Sequence, residues 1–177
     1  MITVTLKGTE KREFPEALSA FDVAKSIGAG LAKAACAAKI DDKICDLRTV
    51  IDKDCALDIL TFDDENGRKA FRHTAAHILA QAVKRLYPET GLAIGPAIDD
   101  GFYYDFDAEK PFSREELEKI EAEMKKIVKE DLKLEAFTLS DGEALEFFKN
   151  QNEPFKIELC EELKEKGEAV SLYKQGE

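Results

Sequence analysis

His73 and His77 are the only histidines in the chain, and they stand four residues apart. A four-residue step places two side chains on one face of a helix. Imidazole has the side-chain pKa nearest neutral pH, so such a pair suits proton transfer, metal ligation or the gripping of a polar substrate. The HxxxH spacing alone leaves all three open. A zinc-protease helix needs HExxH with the glutamate as general base, and Thr74 stands where that glutamate would be. Four-coordinate zinc needs further ligands, and the cysteines and carboxylates elsewhere show no ligand spacing, so no metal is expected at the pair. Around the histidines the chain is locally basic: Arg68, Lys69, Arg72, Lys84 and Arg85 fall between Asn66 and Pro88 with no acid among them.

The pair must ride on a long helix, predicted over 65–87. Phe71, Ala75, Ile78, Ala82 and Leu86 recur at helical spacing and read as its core stripe. The histidines then lie on the far side, beside Ala76, Ala80 and Lys84, where small side chains admit a close neighbour. Pro88 ends the helix. A hairpin follows over 93–107 with its turn at Asp99, Asp100 and Gly101. Ser113 and Glu116 form a capping box that starts a charged helix to about Glu130. A strand over 133–139, a helix over 141–149, a helix from Pro154 to near Gly167 and a last strand over 169–173 complete this half.

Before the histidine helix the pattern is β-rich. Ile2, Val4 and Leu6 alternate with polar neighbours, Gly8 and Thr9 make a turn, and a short strand covers 12–14. Ser19 caps a helix through Phe21, Val23, Ala24 and Ile27, which stops at Gly28 and Gly30. A buried-type run over 34–40 ends in an Asp41–Asp42 turn, an extended stretch covers 44–46, and the last strand covers 57–62. Strands flanking one helix within about sixty residues imply a β-grasp, ubiquitin-like unit with the helix over one sheet face. The polar run 63–67 reads as a hinge, giving domains 1–62 and 63–177 in an α+β chain.

Composition bounds the function. Of 177 residues 44% are hydrophobic and 36% charged, enough to build cores. Thirty-seven acids against twenty-six bases give a net charge of -11. That argues against a sequence-blind nucleic-acid coat or a membrane-surface protein, while a local RNA site stays possible. Cys36, Cys45, Cys55 and Cys160 lack CxxC spacing and read as free core thiols. With no apolar signal segment and no run of eighteen apolar residues, a reduced cytoplasm is the expected location, away from membranes.

The order of these elements, together with the segments from Phe71 to Ala80 (Phe-Arg-His-Thr-Ala-Ala-His-Ile-Leu-Ala) and from Ile94 to Phe106 (Ile-Gly-Pro-Ala-Ile-Asp-Asp-Gly-Phe-Tyr-Tyr-Asp-Phe), closely resembles the N-terminal region of bacterial-type threonyl-tRNA synthetases. Pro154-Phe155-Lys156-Ile157-Glu158-Leu159 and Ser171-Leu172-Tyr173-x-Gln175-Gly176 extend the resemblance along the whole chain. It implies a TGS domain followed by a mixed α+β editing domain. His73 and His77 match the family's histidine pair, which is expected to orient the terminal ribose hydroxyls and water. Lys156 matches a site lysine, a donor to the leaving ribose oxygen or to water. Gly95 and Tyr104 belong to the matching hairpin and are expected to line the pocket, and Tyr173 and Gln175 are substrate-side candidates on the last strand. The family strand continues into a Cys-x-x-x-His segment that completes the cleft, and these residues stop before it. The resemblance puts ATP, magnesium and zinc in a catalytic core outside these residues, so no cofactor is expected here and aminoacylation by them alone is not. Homodimerisation likewise belongs to the full-length protein.

The implied task is the rejection of serine. A missing methyl is worth about 1–3 kcal/mol, roughly 10–200-fold, while translation needs about 10⁴–10⁵. A second, smaller pocket that takes the seryl 3′ end of tRNA(Thr) and hydrolyses its ester closes that gap. Two other readings stay open: a free-standing hydrolase of mischarged tRNA, and a TGS-containing regulatory binding module. A P-loop would support the GTPase form of the latter, and the chain has none.

Overall fold

Alternate burial of Ile2, Val4 and Leu6, with Thr3 and Thr5 half-buried between them, starts the first sheet as a period-two pattern requires. The protein is described by a computed structural model over residues 1–151, 153–165 and 170–176. It divides into two compact units, Met1–Thr74 and Ala75–Glu177.

In the first unit β1 (Ile2–Leu6), β2 (Glu10–Phe14), β3 (Leu18–Ser19), α1 (Ala20–Ile27), α2 (Ala29–Ala34), β4 (Ala35–Ile40), β5 (Lys43–Cys45), β6 (Val50–Ile51) and β7 (Cys55–Thr61) follow in order. Five strands form one sheet in the order β2-β1-β7-β4-β5. β1 and β7 run parallel, and the other neighbours are antiparallel. Lys7 and Gly8, at φ +46° and +74°, turn β1 back into β2. Ser19 caps α1 by accepting the Asp22 N–H at 3.1 Å. Ala20 and Val23 of that helix pack on Val4, Leu6, Ala38 and Leu57. A sheet with one helix over its inner face is the β-grasp arrangement expected.

Two expectations are corrected here, and two short strands had not been expected. Gly30 does not lie beyond a single helix but inside α2, because the break is made at Gly28 alone and helical backbone resumes at once. The two-residue strands β3 and β6 pair only with each other, too short for any periodic signal. Residues 65–67 are not hinge: helix α3 (Glu65–Leu86) already includes them, and Gly67 is buried.

α3 carries both histidines and crosses the division between the units. After it come β8 (Gly91–Leu92), β9 (Ala97–Ile98), β10 (Gly101–Phe102), β11 (Phe106–Asp107), α4 (Arg114–Glu130), β12 (Leu134–Leu139), α5 (Asp141–Asn150), α6 (Pro154–Glu165) and β13 (Val170–Gln175). β8 pairs with β11 and β9 with β10, so 91–107 is one long hairpin with its tip at Asp99–Asp100. The Ser113–Glu116 capping box forms as expected. β12 and β13 are antiparallel, and α5 and α6 bury Ala144, Phe148 and Cys160 together with Leu139 and Leu172. Gly167 and Ala169, expected at the end of α6 and the start of β13, lie outside the described residues. The four cysteines are free thiols, Cys55 and Cys160 buried.

The core stripe of α3 is also corrected. Phe71 is 54% exposed and Leu86 is exposed as well, while Ala76 (1% exposed), Ala80 and Val83 are buried. Ile78 and Ala82 do join a core, with Val83, Ile120 and Ile127. The buried positions of α3 are mostly its small residues, so a stripe that includes Phe71 and Leu86 does not describe it. Phe71 instead meets Phe62 edge-on, ring centroids 5.3 Å apart.

Candidate functional site

The chemistry-bearing residues of the second unit gather where the hairpin, α6 and the second half of α3 supply polar atoms. Lys156, in the first turn of α6, is half-buried. Its Nζ donates to the Ala93 carbonyl at 2.9 Å and to the Tyr104 hydroxyl at 3.4 Å, and lies 5.8 Å from the centroid of the Tyr104 ring. Tyr104 stacks on Phe106 at 4.9 Å. Gly95 is what admits the ring: a Cβ there would lie 2.1 Å from the Tyr104 Cδ2. Sequence-derived Lys156, Tyr104 and Gly95 thus share one place.

Burial acts on both titrating groups. It pushes the Lys156 ammonium below its usual pKa, because desolvation disfavours the charged form, with the Glu153 charge opposing it. Burial, and then the Glu153 charge, push the Tyr104 phenol up, so it stays a neutral donor and acceptor.

The other candidates fall on α3 and β13. The His77 ring is 6.5 Å from the Tyr173 ring, at 48°. One turn further along α3, the Gln81 amide donates to the Gln175 carbonyl at 3.5 Å, so Gln175 contributes its backbone. His73, one turn before His77, presents surface to solvent, yet surrounding protein pulls its pKa below the usual histidine value by desolvation. A neutral imidazole at pH 7 follows. Thr74, in the slot a zinc protease gives to glutamate, donates its hydroxyl to the Ala70 carbonyl at 3.1 Å. Among the described residues no three His, Cys, Asp or Glu side chains are placed to hold a metal ion.

Sequence reasoning missed Gln81 and Glu153 here, and the pairing of Glu153 with Lys84. Gln81 continues the four-residue step of the histidines, which is the clue that was available. Glu153 is 8% exposed and pairs with Lys84 at 2.9 Å. The expected basic stretch is largely neutralised in the same way. Lys69 pairs with Glu65, and Arg85 grips Glu130 through two bonds of 2.8 Å and reaches buried Glu123 at 3.3 Å. Arg68 donates to the Phe62 and Asp63 carbonyls.

Replacing Gly95 by alanine should therefore displace the Tyr104 ring and unseat Lys156 with it. The expected result is a folded protein whose Lys156 and Tyr104 side-chain resonances move together. Unmoved resonances would mean that the ring has room to spare.

Comparison with known proteins bears on what this place is. Residues 2–61 match the TGS domain model. A threonine–tRNA ligase of Acetivibrio thermocellus is 59% identical over all 177 residues. That of Clostridium botulinum is 58% identical over the same span, and that of Caldanaerobacter subterraneus subsp. tengcongensis 54% over 176 residues. The chain corresponds to the N-terminal region of the threonine–tRNA ligases. It spans only about 28% of the length of these relatives. Likeness of this degree runs through both units, so the hairpin and the histidine helix belong to the same matched stretch as the TGS domain. Among the described residues no helix is long and apolar enough to cross a membrane.

Proposed function

We propose that this chain is the editing half-site of a threonine–tRNA ligase, contributing hydrolysis of mischarged seryl-tRNA(Thr) beside its TGS domain. The observation that carries the reading is the Lys156 ammonium, half-buried and held by the Ala93 carbonyl and the Tyr104 hydroxyl. A cation fixed in a partly dry recess can stabilise the leaving ribose oxygen of an ester or hold the attacking water. His73 and His77 supply imidazoles on one helix. With a lowered pKa, His73 is a neutral acceptor that can orient the terminal ribose hydroxyls and water. Tyr173 and Gln175 then lie on the substrate side.

The partner in this reading is the 3′ end of tRNA(Thr), with the seryl group as editing substrate. Threonylation, with ATP, magnesium and zinc, belongs to a catalytic core, as does dimerisation, and the cytoplasm is the place of action. The 177 residues contain no Cys-x-x-x-His segment. The test therefore joins them to that segment in a full-length ligase and measures deacylation of preformed seryl-tRNA(Thr) and threonyl-tRNA(Thr). Seryl-tRNA(Thr) should be hydrolysed and threonyl-tRNA(Thr) spared. Equal rates on both, or on neither, would rule the editing assignment out.

A further inference from the structure

The first unit holds a cavity of about 640 Å³, walled by residues between Leu6 and Asn66, that the editing reading does not use. That volume lies in the range of ligand-sized clefts. Five consecutive residues of β7, Leu57 to Thr61, line it. Successive strand residues point to opposite faces of a sheet, so a space that touches all five lies along the edge of the strand. The register explains why an edge is open there. β1 pairs with β7 only as far as Leu6 and Leu57, then turns away at Lys7 and Gly8, while β4 accompanies β7 to Thr61.

Main-chain groups alternate in direction along β7. The Ala56 carbonyl accepts the Asp41 N–H at 3.0 Å on the side of β4. Leu57, Ile59 and Thr61 therefore turn their N–H and C=O groups to the other side. Leu57 meets β1 there, and the Asp64 carboxylate closes Thr61 by accepting its N–H at 2.7 Å. Ile59 lies between them, and among the described residues its N–H and C=O have no partner on that side. An unpaired strand edge is a template for main-chain pairing with another chain. The side chains around it define what fits. Ile59 packs on the inner core beside Ile27, Leu31 of α2 joins them at the cavity, and all three are only half-buried. Around this apolar floor Glu10, Asp58, Asp64 and Glu65 stand against Lys7 and Lys39. Excess carboxylate repels the phosphates of a nucleic acid and favours a cationic partner.

We infer that the open edge of β7 is a docking site for an extended basic–apolar–basic segment of another polypeptide, whose middle residue exchanges both main-chain hydrogen bonds with Ile59. Residues directly opposite in an antiparallel pair carry their side chains on the same face. The middle side chain therefore enters the recess of Ile27 and Leu31 and must be apolar. Its two neighbours point to the face of Asp58, within the acidic rim, and are basic. Main-chain bonds supply the affinity and the alternating side chains the specificity. The inference does not depend on the editing assignment.

The test follows the amide spectrum of the isotope-labelled 177-residue chain during titration with acetyl-Lys-Leu-Lys-amide. The peptide is taken to about 10 mM, because one pair of main-chain bonds and one leucine must offset the ordering of the segment and leave a Kd of about 1 mM. Saturable shifts centred on the Ile59 and Leu60 amides are expected, and acetyl-Glu-Leu-Glu-amide should give none. Methylating the leucine nitrogen removes the donor to the Ile59 carbonyl and should weaken binding about tenfold with the protein untouched. Leu31→Lys, which puts a cation on the apolar floor, should abolish binding. If that variant does not fold, the methylated peptide carries the test alone. Equal binding of the methylated peptide, the same shifts from lysinamide, shifts centred elsewhere, or none at all would overturn the inference. Broadening of the Ile59 amide with protein concentration alone would also overturn it, by showing that a second copy of the chain takes the edge.

Discussion

Replacing His73 by alanine in a full-length ligase is expected to slow hydrolysis of seryl-tRNA(Thr) by about 10²-fold or more, the usual worth of a positioned acid–base group. Threonylation, performed in a separate core, should hold its rate and serve as the control. The pH profile sharpens the test. Burial lowers the His73 pKa below 6.5, so the neutral imidazole persists to lower pH than it would on a free histidine. If that neutral form accepts a hydrogen bond from the ribose or water, the acid limb of the hydrolysis profile lies below pH 6.5 in wild type and is absent in the alanine variant. His73→Asn, which keeps an acceptor but cannot titrate, should flatten the same limb while retaining more rate than alanine. Unchanged hydrolysis in His73→Ala removes the imidazole from the mechanism, and Lys156 would then have to act with water alone.

Local signals were read well from the sequence, and distant ones were not. Ser19 and the Ser113–Glu116 box start helices through bonds within three residues, so the residue types at those positions decided the outcome. The alternation of Ile2, Val4 and Leu6 fixed the inner face of β1 for the same reason. Phe71 and Leu86 were misassigned because helical period alone cannot say which face of a helix will be covered. Buried Ala76 and Ala80 show that small residues, and not the large ones, line the covered face of α3. Gly95, Tyr104 and Lys156, singled out through the family resemblance, lie together in the structure, and Tyr173, taken from its position on the last strand, lies beside His77. The Lys84–Glu153 pairing was not legible, because the two lie 69 positions apart and each reads as an ordinary surface charge until the fold brings them together. The same holds for two cations of the basic stretch: Lys84 and Arg85 are answered by carboxylates before α6 and on α4.

Gly67→Ala opposes two effects of known size at the junction between β7 and α3. In a helix, alanine is favoured over glycine by about 1 kcal/mol, so propensity alone predicts a gain. The space predicts a loss: a Cβ at Gly67 would lie 1.8 Å from the Thr61 carbonyl oxygen and 2.7 Å from its carbon. Those are backbone atoms and cannot rotate away. The Thr61 carbonyl also accepts the Asp64 N–H at 3.1 Å, while the Asp64 carboxylate accepts the Thr61 N–H at 2.7 Å and its hydroxyl at 3.2 Å. Relief of the clash therefore requires breaking the turn that aims α3. Overpacking of this kind costs about 1–3 kcal/mol and occasionally more, and the closeness of the contact puts it at the upper end. The net expectation is a loss of about 2 kcal/mol. For a unit of 74 residues that lowers the midpoint of thermal unfolding by about 8–16 °C, at roughly 4–8 °C per kcal/mol. Asn66→Ala, on the exposed neighbour, should gain slightly or do nothing. If Gly67→Ala melts at or above the wild-type temperature, helix propensity has won, and the strand cannot approach α3 as closely as these distances require.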